Sequence, residues 1–147
     1  MAVPVIYGDD YKFEIGRGVK LADGKDVSLI ATGIEVEQAL LARELLATEG
    51  ISASVVNIPT IKPLDEELVI AEANACGAVV TCEEHTVIGG LGAAVAECLS
   101  EKRPTPVLRV GVNDVFGRSG PAKELVSYFG LDAAAIAAKA KAAVALK

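Results

Sequence analysis

One stretch constrains the fold of this chain more than any other. Val79–Val95 reads Val-Val-Thr-Cys-Glu-Glu-His-Thr-Val-Ile-Gly-Gly-Leu-Gly-Ala-Ala-Val. Ala78–Cys82 is a short apolar run rich in β-branched residues, which reads as a buried strand. Glu83, Glu84 and His85 follow at once. Three adjacent ionisable side chains do not all sit in a core, so the strand is expected to end there in a solvent-facing loop. Gly89, Gly90 and Gly92 then let the backbone turn sharply and approach its neighbours closely. Leu91, Val95, Cys98 and Leu99 recur at helical spacing, so a helix begins near Gly90. Strand, polar loop, glycines, helix is the arrangement at which open α/β sheets place ligands and partners.

The rest of the chain extends that pattern. Residues 1–12 contain Pro4 and Gly8 but no sustained period, and read as an arm or linker before a domain spanning 13–147. Phe13–Ile15 and Val19–Leu21 alternate on either side of Gly16-Arg-Gly18, which suggests a small hairpin. Val27–Ala31 reads as the first central strand, ended by Thr32-Gly33. Ile34–Thr48 is the clearest helix, with Val36, Leu40, Leu41 and Leu45 as its apolar stripe. Glu35, Gln38, Arg43 and Glu49 are expected largely off that stripe, and Gly50 suits the position just past the helix end.

Ile51–Ile58 reads as a second strand, and Asp65 as the cap of a helix reaching about Asn74. After the opening stretch, Val107–Val110 is a further strand. Asn113–Gly120 is a polar, glycine-bearing loop, and Pro121 suits the first position of a helix that reaches Phe129. Asp132 caps a final alanine-rich helix to about Leu146. Strands alternating with helices mean an α/β fold. The expectation is a three-layer α/β/α domain with a mixed, mainly parallel sheet of about five strands, its antiparallel edge supplied by the leading hairpin.

Charge and cysteines narrow the function. A net charge of −6, with no run of Lys or Arg, argues against nucleic acid and anionic membrane surfaces. No signal-peptide pattern and no apolar run of spanning length is seen, so a cytoplasmic location is expected. Cys76, Cys82 and Cys98 lie in or beside apolar elements without a C-x-x-C pair, and read as buried reduced thiols. With His85 the single histidine, a zinc site is not supported.

Gly90-Leu-Gly92 superficially resembles a dinucleotide loop. However, seven residues separate it from the strand, and Val95 stands where the third glycine belongs. Glu83, Glu84 and His85 could serve as an acid/base group, because imidazole and carboxylate side chains can take up and release protons. The alternative is a solvated or interface loop, and no G-x-S-x-G nucleophile elbow accompanies it. Asp114, Arg118 and Ser119 offer polar groups in the later loop, which reads equally as a surface loop.

Four of these segments together resemble the C-terminal domain of the transketolase family. Phe13–Gly18 with Gly24–Gly33 looks like its entry hairpin and first strand. Asn57-Ile-Pro59-Thr-Ile-Lys62-Pro63-Leu-Asp65 looks like the segment after its second strand. Glu83-Glu84-His85-Thr-Val-Ile-Gly89-Gly90-Leu-Gly92 is similar to its strand–loop–helix signature, closest to split transketolases. Gly111–Gly120, with Asp114, Phe116-Gly117 and Ser119-Gly120, matches its last loop. The family includes transketolase, 1-deoxyxylulose-5-phosphate synthase and 2-oxo acid dehydrogenase beta subunits.

The resemblance implies a transferase that depends on thiamine diphosphate and magnesium. In the family those are held by preceding pyrimidine- and diphosphate-binding domains, whose Gly-Asp-Gly motif is absent here. This chain alone is therefore expected to hold no cofactor or metal and to be catalytically inactive, as an excised domain or a truncated subunit. Its expected partners are those domains or subunits of the same enzyme, in a homo-oligomer such as a dimer. Its expected role is subunit assembly and shaping of the active-site entrance, through Glu83, Glu84, His85, Gly89, Gly90, Gly92, Asp114, Arg118 and Ser119. The alternative is a partner-recruiting binding module, as in the 2-oxo acid dehydrogenase beta subunits.

Overall fold

The computed structural model describes residues 3–147; Met1 and Ala2, the start of the expected arm, lie outside them. The described elements are, in chain order, β1 (Val19–Ala22), β2 (Val27–Ala31), α1 (Glu35–Thr48), β3 (Ala53–Asn57) and α2 (Glu66–Cys76), then β4 (Val79–Thr86), α3 (Leu91–Lys102), β5 (Val107–Val112), α4 (Ala122–Tyr128) and α5 (Ala133–Val144). The strands form one sheet in the order β1-β3-β2-β4-β5. β1 is antiparallel to β3, and the other pairs are parallel. This is the mixed α/β architecture expected from the sequence.

Alternation along the central strands builds two cores. Leu29, Val55, Val80 and Cys82 face one side, where they pack with Val36 and Ala39 of α1 and Ile136 and Ala140 of α5. Ile30, Val56 and Val79 face the other, against Val69 of α2 and Leu91, Val95 and Leu99 of α3. A strand buried on both faces cannot alternate polar with apolar, and every residue of β2 is buried. Burying one such Leu or Ile side chain stabilises the fold by about 1.5–3 kcal/mol.

Three expectations are corrected. First, Phe13–Ile15 forms no strand, and the antiparallel edge arises from β1 pairing with β3, Val19 opposite Asn57. The amides of the intervening segment have other partners: Gly16 N–H donates to Thr60 Oγ1 at 2.8 Å and Gly18 N–H to Asp65 Oδ2 at 2.9 Å. Asp65 Oδ1 also accepts from Leu68 N–H, so one carboxylate caps α2 and anchors the entry segment.

Second, the buried stripe of α1 is Glu35, Val36, Ala39, Ala42 and Leu46, while Leu41 and Leu45 are exposed. Small alanines let α1 lie close to the sheet and α5, and that proximity outweighs the larger leucines in setting the helix rotation. Third, Pro121 stands just before α4 as its cap residue and is not its first helical residue. Asp132 caps α5 as expected, accepting from Ala135 N–H at 3.0 Å. All three cysteines are free and buried.

Candidate functional site

The sheet order places a topological switch between β2 and β4. α1 leaves β2 on one face to reach β3, and α3 leaves β4 on the opposite face to reach β5. The two exits diverge and leave a crevice of about 320 Å³ at the carboxyl ends of the strands. Thr32, Gly33 and Ile34 line one wall. Glu83, Glu84, His85, Gly89 and Gly90 line the other, with Ile61 at the rim. Gly33 has φ +61° and Gly89 φ +77°, the left-handed turns with which each wall folds back into its helix.

β4 continues through Glu83, Glu84 and His85, contrary to the expected loop. Cys82 pairs with Val110 and Thr86 with Val112, so four steps on β4 match two on β5: a bulge with two extra residues. Glu83 is buried, 1 % exposed. Its Oε2 accepts from Leu91 N–H at 2.7 Å and its Oε1 from Gly92 N–H at 2.9 Å. Those are the first amides of α3, whose cap residue Gly90 has no side chain to serve them. A buried carboxylate is tolerated here because two amides and the positive end of a helix answer its charge.

The glycines are required by that packing. A Cβ on Gly90 would lie 2.0 Å from Glu83 Oε2. One on Gly92 would lie 2.7 Å from Arg109 Cδ and 2.8 Å from Thr81 Oγ1. Close helix-to-sheet contact, and not a nucleotide phosphate, therefore accounts for both.

Glu84 and His85 are exposed near the end of β4. His85 Nδ1 lies 2.9 Å from the Thr86 carbonyl, which can only accept, so that nitrogen is the donor of the contact. Asp114, Arg118 and Ser119 are exposed in the loop after β5 and do not line the crevice. The Arg118 guanidinium sits 4.7 Å above the Tyr128 ring, a cation–π contact instead of an anion-binding pose.

Glu35, expected off the apolar stripe, lies on the buried face of α1 instead. This first residue of α1 is completely buried, and both carboxylate oxygens lack a hydrogen-bond partner. Burial first, then the negative charges of Glu84 and Asp132, push its pKa up to about 8, so it is protonated at neutral pH. Its position four and seven residues before Ala39 and Ala42 was the available signal, since those alanines mark the buried stripe. Burial likewise holds the Cys82 thiol well above its ordinary range, so it is inert as a nucleophile.

Chemically, the crevice offers two exposed groups, Glu84 and His85, and one committed carboxylate, Glu83. A thiamine diphosphate–magnesium pair does not fit this set. The helix amides that would face a diphosphate at the α3 start are taken by Glu83, and the exposed carboxylate would repel it. Among the described residues no group of three or more His, Cys, Asp or Glu side chains is arranged to hold a metal ion. No helix among the described residues is long and apolar enough to cross a membrane.

Comparison with known proteins agrees with this fold. The family model described as "Transketolase, C-terminal domain" matches residues 16–136. A putative transketolase C-terminal section from Methanocaldococcus jannaschii is 51% identical over 136 residues, covering 90% of this chain and 42% of its own length. A 6-deoxy-6-sulfo-D-fructose transketolase subunit from Clostridium sp. is 51% identical over 128 residues, covering 87% of this chain and 40% of that protein. A solved structure titled "Split gene transketolase, inactive beta4 tetramer" superposes with a TM-score of 0.95 at 51% identity, covering 99% of this chain and 48% of that one. The chain thus spans less than half the length of these relatives. With the family model covering most of the sequence and this fold matched throughout, the chain belongs to the transketolase C-terminal domain family.

Proposed function

We propose that this chain serves as the C-terminal domain of a thiamine-diphosphate-dependent, transketolase-type transferase. It is non-catalytic by itself, and contributes to subunit assembly and to the entrance of an active site built by other domains. The cofactor and magnesium are held by the pyrimidine- and diphosphate-binding parts of the same enzyme, which are its partners within a homo-oligomer working in the cytoplasm.

One observation carries this reading. At the switch point, where an independent enzyme of this architecture keeps its chemistry, the buried carboxylate that lines the crevice, Glu83, is spent on capping α3. The remaining Glu84 and His85 face outward with no nucleophile beside them. Such groups suit contact with another polypeptide better than bond making. The names of the similar proteins, a transketolase C-terminal section and a transketolase subunit, favour the same role.

Calorimetric titration tests it. This chain alone is expected to bind thiamine diphosphate and magnesium no tighter than the millimolar range. Mixed with the remaining part of the enzyme, it is expected to restore ketol transfer. Tight cofactor binding by this chain alone would sink the proposal.

A further inference from the structure

Single exposed apolar side chains are ordinary, but here they gather on two banks of one edge. The first bank lies beyond the carboxyl ends of β4 and β5. Val87 N–H donates to the Val112 carbonyl at 3.0 Å, and Arg109 Nη1 donates to the Val87 carbonyl at 2.8 Å. These bonds brace the bases of two neighbouring loops. From them project Ile88 (61 % exposed), Val115 (59 %) and Phe116 (100 %). The second bank lies beyond β3, where Gly16 is tied to Thr60. It carries Phe13 (56 % exposed), Ile15 (72 %) and, at the crevice rim, Ile61.

Between the banks runs the crevice, whose exposed charge is the Glu84 carboxylate, with Asp114 exposed at the start of the loop after β5. A complementary surface therefore offers apolar groups on two flanks and a basic side chain between them. The matched relatives contain further polypeptide that could supply it. More than half of each lies outside the region this chain covers.

We infer that the carboxyl-end rim, two apolar banks astride the Glu84 crevice, is the face on which the cofactor-holding part of the same enzyme docks. This rests on the function proposed above and names the surface and its chemistry. A fully exposed Phe with Ile and Val beside it has the make-up of an interface anchor, and the acidic crevice fixes the register of docking.

The test mixes this chain with the remaining part of the enzyme and reads the dissociation constant by calorimetry, with ketol-transfer activity in parallel. The double variant Ile88→Ser/Phe116→Ser is expected to weaken association by about a hundredfold, two anchors at roughly tenfold each. Glu84→Lys is expected to weaken it about tenfold, and with a smaller salt dependence than the parent. Leu41→Ser, on the exposed outer face of α1, is expected to leave it within about twofold. All these side chains are exposed, so unchanged circular dichroism and melting confirm that each variant folds.

Rim variants that bind as tightly as the parent, in an enzyme that still reassembles and turns over, overturn the docking face and leave the proposed function standing. A parent chain that neither binds the remaining part nor restores activity overturns the proposed function, and this inference with it. Self-association of the chain that light scattering shows to be lost in the double variant, with heterologous affinity unchanged, assigns the rim to a second copy and also overturns it.

Discussion

Two buried glutamates lie near the carboxyl ends of neighbouring central strands, and they are held in opposite ways. Glu83 is reached by a bulge in β4 and spends both oxygens on the first amides of α3. Glu35 begins α1 after β2, is equally inaccessible, and has no partner for either oxygen. Glu83 is a buried charge answered by a helix terminus. Glu35 is a buried acid that keeps its proton. Burial alone therefore says nothing about the sign of a carboxylate's contribution; the donors available at the site decide it.

The largest expected effect breaks the Glu83 side. Glu83→Ala leaves the Leu91 and Gly92 amides buried without an acceptor and α3 without its cap. Charge-assisted hydrogen bonds contribute about 1.5–3 kcal/mol each, so a loss of roughly 4 kcal/mol is expected in urea unfolding. Glu83→Gln, which keeps one acceptor, is expected to recover part of it. Gly90→Ala is expected to resemble Glu83→Ala, because its Cβ would displace the same carboxylate. A Glu83→Ala variant as stable as the parent would mean that the cap contributes nothing.

The Glu35 side gives the next effect, and its sign is opposite. The folded pKa of about 8 stands above the unfolded value of 4.5. Between those values the unfolded chain has released the proton that the folded chain still binds, so this group makes stability fall as pH rises, down to a floor above about 8. Glu35→Gln cannot ionise. Its stability relative to the parent is expected to rise across pH 5 to 9, by roughly 2–4 kcal/mol in total. Urea unfolding at pH 5, 7 and 9 measures this, and a difference that stays flat with pH would remove the contrast between the two glutamates.

How much of this was legible in the residues differs by level. The order of strands and helices was, because β-branched runs at Val27–Ala31 and Val79–Cys82 and caps at Asp65 and Asp132 are local signals. The partner of β1 was not, since pairing with β3 depends on amides tied to Thr60 and Asp65, over forty residues away. At the site, the glycines and the exposure of Glu84 and His85 were legible. The fate of Glu83 was not, because a bulge is a mismatch between two strands and neither strand records it alone. The burial of Glu35 was not legible either, because α1 turns its alanines and not Leu41 and Leu45 toward the core it shares with α5, and that choice depends on a helix nearly a hundred residues away.

A smaller effect sharpens the link between Asp132 and Glu35. Asp132→Ala removes the cap on Ala135 N–H and is expected to cost about 1 kcal/mol at pH 5. At pH 9 the same change also removes a negative charge beside ionised Glu35, so the net loss is expected to be smaller there. Asp132→Asn, which keeps the cap without the charge, is expected to be near neutral at pH 5 and stabilising at pH 9. Thermal melts of both variants at the two pH values check it. Identical losses at both would show that Asp132 does not act on Glu35.

The smallest expected effect on stability concerns His85, and it separates the crevice residue that folds the domain, Glu83, from the neighbour that faces outward. His85 is exposed and makes a single contact with the neighbouring Thr86 carbonyl. His85→Ala in this chain is therefore expected to change stability by no more than about 0.5 kcal/mol. In the complete enzyme a side chain that positions a partner or guides substrate acts on binding in ground and transition state alike. It is expected to weaken subunit association or raise KM more than it lowers kcat. A proton-transfer group behaves otherwise, since its loss lowers kcat by about a hundred- to ten-thousandfold at unchanged KM. Steady-state kinetics of the reassembled His85→Ala enzyme distinguish the two. A thousandfold fall in kcat with unchanged KM and assembly would make His85 catalytic. An altered KM with kcat largely kept would leave Glu83 as the structural carboxylate of the crevice and His85 as its contact with the rest of the enzyme.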